Sequence, residues 1–193
     1  MCKLMIRQSL VLHGFVAGLS LLGAARAVAD KGDGGATAQP GSKAQELRGK
    51  FTHGEAAAEN AVRQKAVEQA VSEVVPETRA LARKMLEAKT RIAAWVEITP
   101  DSHNVTVHME GREAEVCPLL GARKGKDPQG RAAEFSARWD GRSLVQTITN
   151  DEGKRTNTFA PQSDGSLLLS VEISSSKFKT PIRYKLTYRA DKG

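Results

Sequence analysis

Few residues in this sequence are of types that do chemistry. His103 and His108 share one short stretch with Asp101 and Glu110. A metal site needs three or four side chains converging on one point. A histidine in a turn and another five residues along a strand need not converge, so two solvated histidines are the expectation. Asp101, Ser102 and His103 supply the residue types of a nucleophilic triad. Adjacent residues on one turn cannot reach its mutual geometry, and no nucleophile elbow is present. Gly32, Gly34 and Gly35 sit in a Gly/Ala-rich run rather than between a strand and a helix, so they build no phosphate cradle. Asn104-Val105-Thr106 spells a glycosylation sequon, which matters only in a eukaryotic secretory route. No catalytic residue, metal ligand or cofactor-binding residue is assigned, and no cofactor is expected.

Charge offers more. Arg123, Lys124 and Lys126, with Arg131, decorate a stretch containing Gly and Pro, while Arg183, Lys185 and Arg189 alternate with apolar residues near the C-terminus. Brought together, Arg123, Lys124, Lys126, Arg183, Lys185 and Arg189 form a candidate anion-binding patch for an anionic lipid, a polysaccharide or a protein partner. The same side chains on an edge strand would serve to discourage edge-to-edge pairing. Glu113, Glu115, Glu134 and Asp140 dilute the field. Aromatic residues for stacking bases are few, so nucleic acid is not an expected partner.

The elements that must position these residues are readable from periodicity. Residues 52–75 follow helical grammar: Thr52 and Glu55 have capping-box spacing, and Ala58, Val62, Ala66, Val67, Ala70, Val71, Val74 and Val75 fall along one side. Pro76 breaks the run and starts a second helix, whose apolar face is Leu81, Ala82, Met85 and Leu86. From Ile92 the period becomes two. Strands are predicted at 92–99, 104–110, 112–119, 132–139, 143–150, 155–160, 166–174 and 182–189. Tight turns such as Asp140-Gly141, Asn150-Asp151-Glu152-Gly153 and Ser163-Asp164-Gly165 join them, so neighbours should be antiparallel. The expected fold class is α+β: a helical pair at 52–91 packed on an antiparallel β-meander at 92–193. About eight strands either close into a small barrel or curl into a half-barrel. Its interior, with Phe135, Trp139, Phe159, Phe178, Tyr184 and Tyr188 among the bulky candidates, either packs solid or encloses a small apolar ligand.

The beginning of the chain reads as an export signal. Lys3 and Arg7 precede a mostly apolar run from Leu10 to Ala25, and Ala27-Val28-Ala29 has the small residues a signal peptidase reads. Residues 1–29 are expected to be removed, and 30–51, rich in Gly, Ala and small polar residues at its start, to form a flexible linker. The 193-residue chain has 29 Lys+Arg against 22 Asp+Glu. Losing Lys3, Arg7 and Arg26 leaves 26 against 22, a mildly basic protein. Cys2 leaves with the signal, and Cys117 alone cannot form an internal disulfide. No later stretch approaches membrane-spanning length.

Arg79 to Leu86 before the first strand, Trp139-Asp140-Gly141 with Leu144, Arg155-Thr156-Asn157, Asp164-Gly165 with Leu167, and Tyr184 to Arg189 carry a resemblance. Over about residues 55–190 the chain resembles uncharacterised exported bacterial proteins with a short helical pair and a lipocalin-like β-meander. The resemblance implies a periplasmic or secreted setting and carries over no catalytic residue. The functional expectation is a non-enzymatic binding module for an apolar or amphipathic small molecule. The alternative is an envelope protein meeting an anionic component through the basic strand and loop. Intact-mass spectrometry of protein recovered from the envelope of its own cell should find a chain beginning at Asp30. A chain retaining Met1 to Ala29 would refute the export reading.

Overall fold

The structure, a computed structural model, describes residues 40–54 and 56–191. The expected signal segment and the first part of the expected linker lie outside the described residues. The elements run α1 (Pro40–Leu47), β1 (Gly49–His53), α2 (Ala57–Ser72), a 3-10 turn (Pro76–Thr78) and α3 (Arg79–Lys89). Then come β2 (Trp95–Pro100), β3 (Asn104–Met109), β4 (Glu115–Pro118), β5 (Arg123–Lys126) and β6 (Ala132–Asp140). Four long strands finish the chain: β7 (Ser143–Asn150), β8 (Gly153–Pro161), β9 (Ser166–Ser175) and β10 (Phe178–Ala190).

All strand pairs are antiparallel, in the order β4-β3-β2-β1-β10-β9-β8-β7-β6-β5. Because β1 joins β10 to β2, the ring is interrupted only between β4 and β5. Even there the edges approach: Arg123 Nε donates to the Val116 carbonyl at 2.9 Å. The wall is a nearly closed barrel, with few backbone groups left for another chain to pair with.

Among the described residues ten strands replace the expected eight, and both additions have a physical reason. Residues 49–51 were expected in the linker and 52–53 at the start of the helical pair, but Leu47 and Phe51 bury completely or nearly so and anchor α1 and β1 to the core. Two bulky apolar residues suffice where the strand is short and has neighbours on both sides. The expected capping box is therefore corrected: Thr52 lies in β1 opposite Arg189 and Trp95, and α2 begins with Ala56 at its cap. Strand β5 was expected to be a basic loop. Its inward position beside Ala133 is Gly125, packed under the Phe135 ring, so it shows no apolar alternation.

Inward side chains form rows across the sheet. Trp139, Leu144, Phe159, Leu169 and Leu186 make one apolar row near the closed end. Next come Ala137, Gln146, Asn157, Val171 and Tyr184, and then Phe135, Ile148, Arg155, Ile173 and Ile182. Strands β1 to β3 add Phe51, Val96, Ile98, Val105, Val107 and Met109, all buried. Burying side chains of this size stabilises the fold by about 1.5–3 kcal/mol each before entropy is counted.

The helices sit between β1 and β2 in the chain and complete the wall. Strand β1 stops at His53, opposite Tyr188. Beyond that point α2 runs beside β10. The Glu59 carboxylate accepts the Thr187 N–H at 3.0 Å and the Thr187 hydroxyl at 2.7 Å, and His53 bonds it at 2.9 Å. Near the other end of the helix, Glu73 Oε2 accepts the Lys179 and Thr180 N–H groups at 2.6 and 2.9 Å. Only Val67, Ala70 and Val71 of the predicted α2 stripe are buried, and Val62 and Val75 are exposed. The tyrosines of β10 hold the segment after α3: Tyr188 donates to the Ala93 carbonyl at 3.0 Å and Tyr184 to that of Thr90 at 3.4 Å.

Gly153 turns β7 into β8 with φ +151°, and a Cβ there would lie 2.0 Å from the Ser174 carbonyl oxygen. That contact is with backbone, so relief requires moving β9. Gly153→Ala should cost about 2–3 kcal/mol in urea unfolding. Gly141→Ala, at φ +59° with nothing within 4 Å, should cost only about 1 kcal/mol of backbone strain. Equal losses at the two sites would contradict this packing of β8 on β9.

Candidate functional site

The open end of the barrel holds a cavity of about 590 Å³ beneath α3. Leu81, Met85 and Leu86 of α3 face Ile148, Ile173 and Phe178 of the strands across it. This use of the α3 apolar face explains why Leu81 and Met85 are not buried by protein, although the sequence predicts them inward.

Arg112, Glu115 and Arg155 are among the ionisable side chains that line this cavity. Arg155 and Glu115 point inward because strand parity puts them level with Ile173 and Val107. A chain of hydrogen bonds joins them. Arg155 Nε donates to Asn157 Oδ1 at 2.9 Å, and Asn157 Nδ2 donates to Gln146 Oε1 at 2.8 Å. Gln146 Nε2 donates to Glu115 Oε2 at 2.8 Å and approaches Cys117 Sγ at 3.4 Å. Gln146 and Asn157 are wholly buried, so the chain leaves neither amide unsatisfied.

Both guanidiniums also reach the C-terminal end of α3, where the Lys89 carbonyl accepts Arg155 Nη1 at 2.7 Å and Arg112 Nη2 at 3.4 Å. Cations suit that end of a helix. Yet a guanidinium has five N–H donors, and among the described residues neither Arg112 nor Arg155 makes an ion pair. Burial, with the charge of Arg155 beside it, pushes Arg112 down to about 10, so it stays charged at neutral pH. Burial pushes the Glu115 carboxyl up, while Arg112 and Arg155 pull it back. Desolvation likewise pushes the Cys117 thiol up to about 11, which makes it unreactive.

The rim of the cavity is ionic. Glu152, in the β7–β8 turn, meets Lys89 of α3, Arg131 of the β5–β6 turn and Lys177 of the β9–β10 turn. Asp127 holds the same Arg131 at 2.7 Å and accepts Asn150 Nδ2 at 2.9 Å. Hydrogen bonding from Lys89, then Arg131, holds the Glu152 carboxyl down at about 2. One carboxylate thus ties three turns and the lid-like α3 together.

The candidate anion patch is not assembled. Arg123, Lys124 and Lys126 lie on β5, and Arg183, Lys185 and Arg189 on β10, with β9, β8, β7 and β6 between them. Strand β10 pairs with β9 along its length and with β1 at Tyr188 to Ala190, and α2 runs beside the rest of that side, so edge protection is not its role either. Arg123 lies over the Phe135 ring, and Arg183 pairs with Glu172 at 2.8 Å. Arg183 and Lys185 instead line a second groove of about 680 Å³ between α2 and the outer face of β8–β10. Of the histidine stretch, Asp101 Oδ1 accepts the His103 and Asn104 N–H groups, and His108 stacks edge-on against Trp95. The residues that do meet at the cavity were not singled out in the sequence as site residues. Their signal was parity: Gln146 lies between Leu144 and Ile148, and Asn157 two before Phe159, each in the apolar phase of its strand.

No family model matches the chain, and no curated protein matches it. Solved structures do. An abundant heat soluble (SAHS) protein from Ramazzottius varieornatus superposes with a TM-score of 0.51 at 10% identity, covering 76% of this chain and 96% of that one. Lipid binding protein 8 of Caenorhabditis elegans gives 0.49 at 10% identity, covering 76% and 96%. The zebrafish ileal bile acid-binding protein with cholic acid gives 0.47 at 11%, covering 75% and 98%. At such identities the likeness is one of fold: a lipocalin-like antiparallel barrel. Among the described residues no helix is long and apolar enough to cross a membrane.

Linkage makes the rim testable. A carboxyl held near 2 when folded, against an ordinary 4.5, stabilises fully above 4.5 and progressively less as pH falls toward 2. The thermal midpoint should therefore drop through that window. In Glu152→Gln it should start lower at about pH 6 and lose part of the acid dependence. Parallel pH profiles for the two proteins would remove Glu152 from its role at the rim.

Proposed function

We propose that the protein is a non-enzymatic binding module for an amphipathic small molecule with an anionic head. It would work outside the cytoplasm once residues 1–29 are removed. One observation carries the binding reading: two guanidiniums that form no ion pair among the described residues, with the Glu115 carboxylate nearby, stand at a cavity whose remaining wall is largely apolar. A volume of about 590 Å³ lies in the range of small-molecule sites. Burying charge without a partner is costly, and an anionic head between Arg112 and Arg155 offsets that cost. The tail would lie along Met85, Leu86, Ile148, Ile173 and Phe178. The alternative of a basic patch for an anionic envelope component loses its premise, because its six residues lie on separated strands.

Hexadecanoate is a suitable probe. Isothermal titration should show saturable binding at one site per chain. Replacing Arg112 and Arg155 together by Met should weaken it about 100-fold, the effect of two charge-assisted hydrogen bonds. Circular dichroism checks that the barrel persists. Unchanged affinity in a folded double variant would overturn the assignment of the head site, and no binding to the native chain would overturn the amphiphile reading.

A further inference from the structure

Lys89 joins the head site to the rim within one residue. Its carbonyl lies in the last turn of α3, where a helix leaves carbonyls without a partner of its own. That oxygen accepts Arg155 Nη1 at 2.7 Å and Arg112 Nη2 at 3.4 Å, so one acceptor gathers two guanidiniums that repel each other. The Lys89 ammonium is bonded by Glu152 of the β7–β8 turn and, among the described residues, by no other side chain. Other holds on this turn fall on Thr90, whose hydroxyl takes Arg63 Nη1 at 2.9 Å and whose carbonyl takes Tyr184 at 3.4 Å. Glu152 is itself fixed. Arg131 and Lys177 bind its carboxylate, and its N–H donates to Asn150 Oδ1 at 3.0 Å.

No hydrogen bond or ion pair joins Glu152 to Arg112 or Arg155 among the described residues. We infer that Glu152 is a positioning residue for the anion site: by holding Lys89 it places the carbonyl that gathers Arg112 and Arg155. The inference rests on the proposed function and adds a residue that does not touch the ligand. Its effect has a distinctive sign. A carboxylate at the rim of an anion site opposes binding by Coulomb repulsion, so removing its charge alone would tighten an anion. Removing a positioning residue weakens it.

Titration calorimetry on the full chain at neutral pH, with dodecanoate and the neutral dodecan-1-ol, reads that sign. Glu152→Gln should bind dodecanoate on the order of tenfold more weakly, the effect of one charge-assisted hydrogen bond, and the alcohol within about twofold of native. Glu152→Asp keeps the charge but shortens the reach to Lys89, and should lose in the same direction. Lys89→Met removes the ammonium and keeps the carbonyl. In that background Glu152→Gln should weaken dodecanoate no further. Tighter or unchanged dodecanoate binding in folded Glu152→Gln overturns the inference, and so does an equal loss for acid and alcohol, which a merely loosened α3 would give. Additive losses in the double variant also overturn it. Where circular dichroism finds Glu152→Gln unfolded, Glu152→Asp decides, and native affinity for dodecanoate there overturns the inference. All these outcomes spare the proposed function. Failure of the native chain to bind dodecanoate or hexadecanoate overturns both.

Discussion

The hydrogen-bonded line from Arg155 through Asn157 and Gln146 to Glu115 divides this barrel in two. Below it lies the apolar row of Leu144, Phe159, Leu169 and Leu186, closed by direct packing. Above it lies the cavity. A barrel of this width can fill itself with side chains or hold a small ligand. A buried polar row settles the choice locally, since amides that satisfy one another cannot also interdigitate with aliphatic side chains above them. The packed half supplies stability, and the line gives the open half a floor with directional chemistry.

The helices follow from a second constraint, the shortness of β1. Ending at His53, it leaves the earlier part of β10 without a strand on that side. Backbone N–H groups on that side take other acceptors, and two carboxylates, Glu59 of α2 and Glu73 just after it, supply them at sites fourteen residues apart. The helix is therefore fixed along β10 by its polar side chains as much as by Val67, Ala70 and Val71. This fixing sets the placement of α3, whose last carbonyl then reaches both cavity arginines. Wall, lid and site are linked through groups that carry charge.

The sequence made the long strands legible because they alternate strictly. Leu167, Leu169, Val171 and Ile173 face inward, as do Ile182, Tyr184, Leu186 and Tyr188. It hid β1 and β5 for opposite reasons. Strand β1 offers one buried large side chain within the strand, Phe51, and β5 offers a glycine where alternation needs an apolar residue. The antiparallel meander and the helical pair were likewise legible, while the near closure of the ring depended on β1, which was not. The site was readable in principle and was missed because basic residues drew attention to the outside of the barrel. Arg183, Lys185 and Arg189 occupy the polar phase of their strand, where charge is unremarked. Arg155 and Asn157 occupy the apolar phase with Phe159, where charge demands a reason.

The seam between β4 and β5 shows how closely structure and site are joined. Strand β4 has a backbone partner on one side only. Across the gap it is held by Arg123 bonding the Val116 carbonyl and by Gln146 bonding Glu115 and Cys117. Two of these three contacts belong to the polar line itself. The position of Glu115 in the cavity is thus set by the bonds that close the barrel, and a change in its hydrogen bonding bears on both. With a single buried cysteine among the described residues, no disulfide there relieves side-chain bonds of this duty. The open seam of the wall and the buried polar line meet at the same carboxylate.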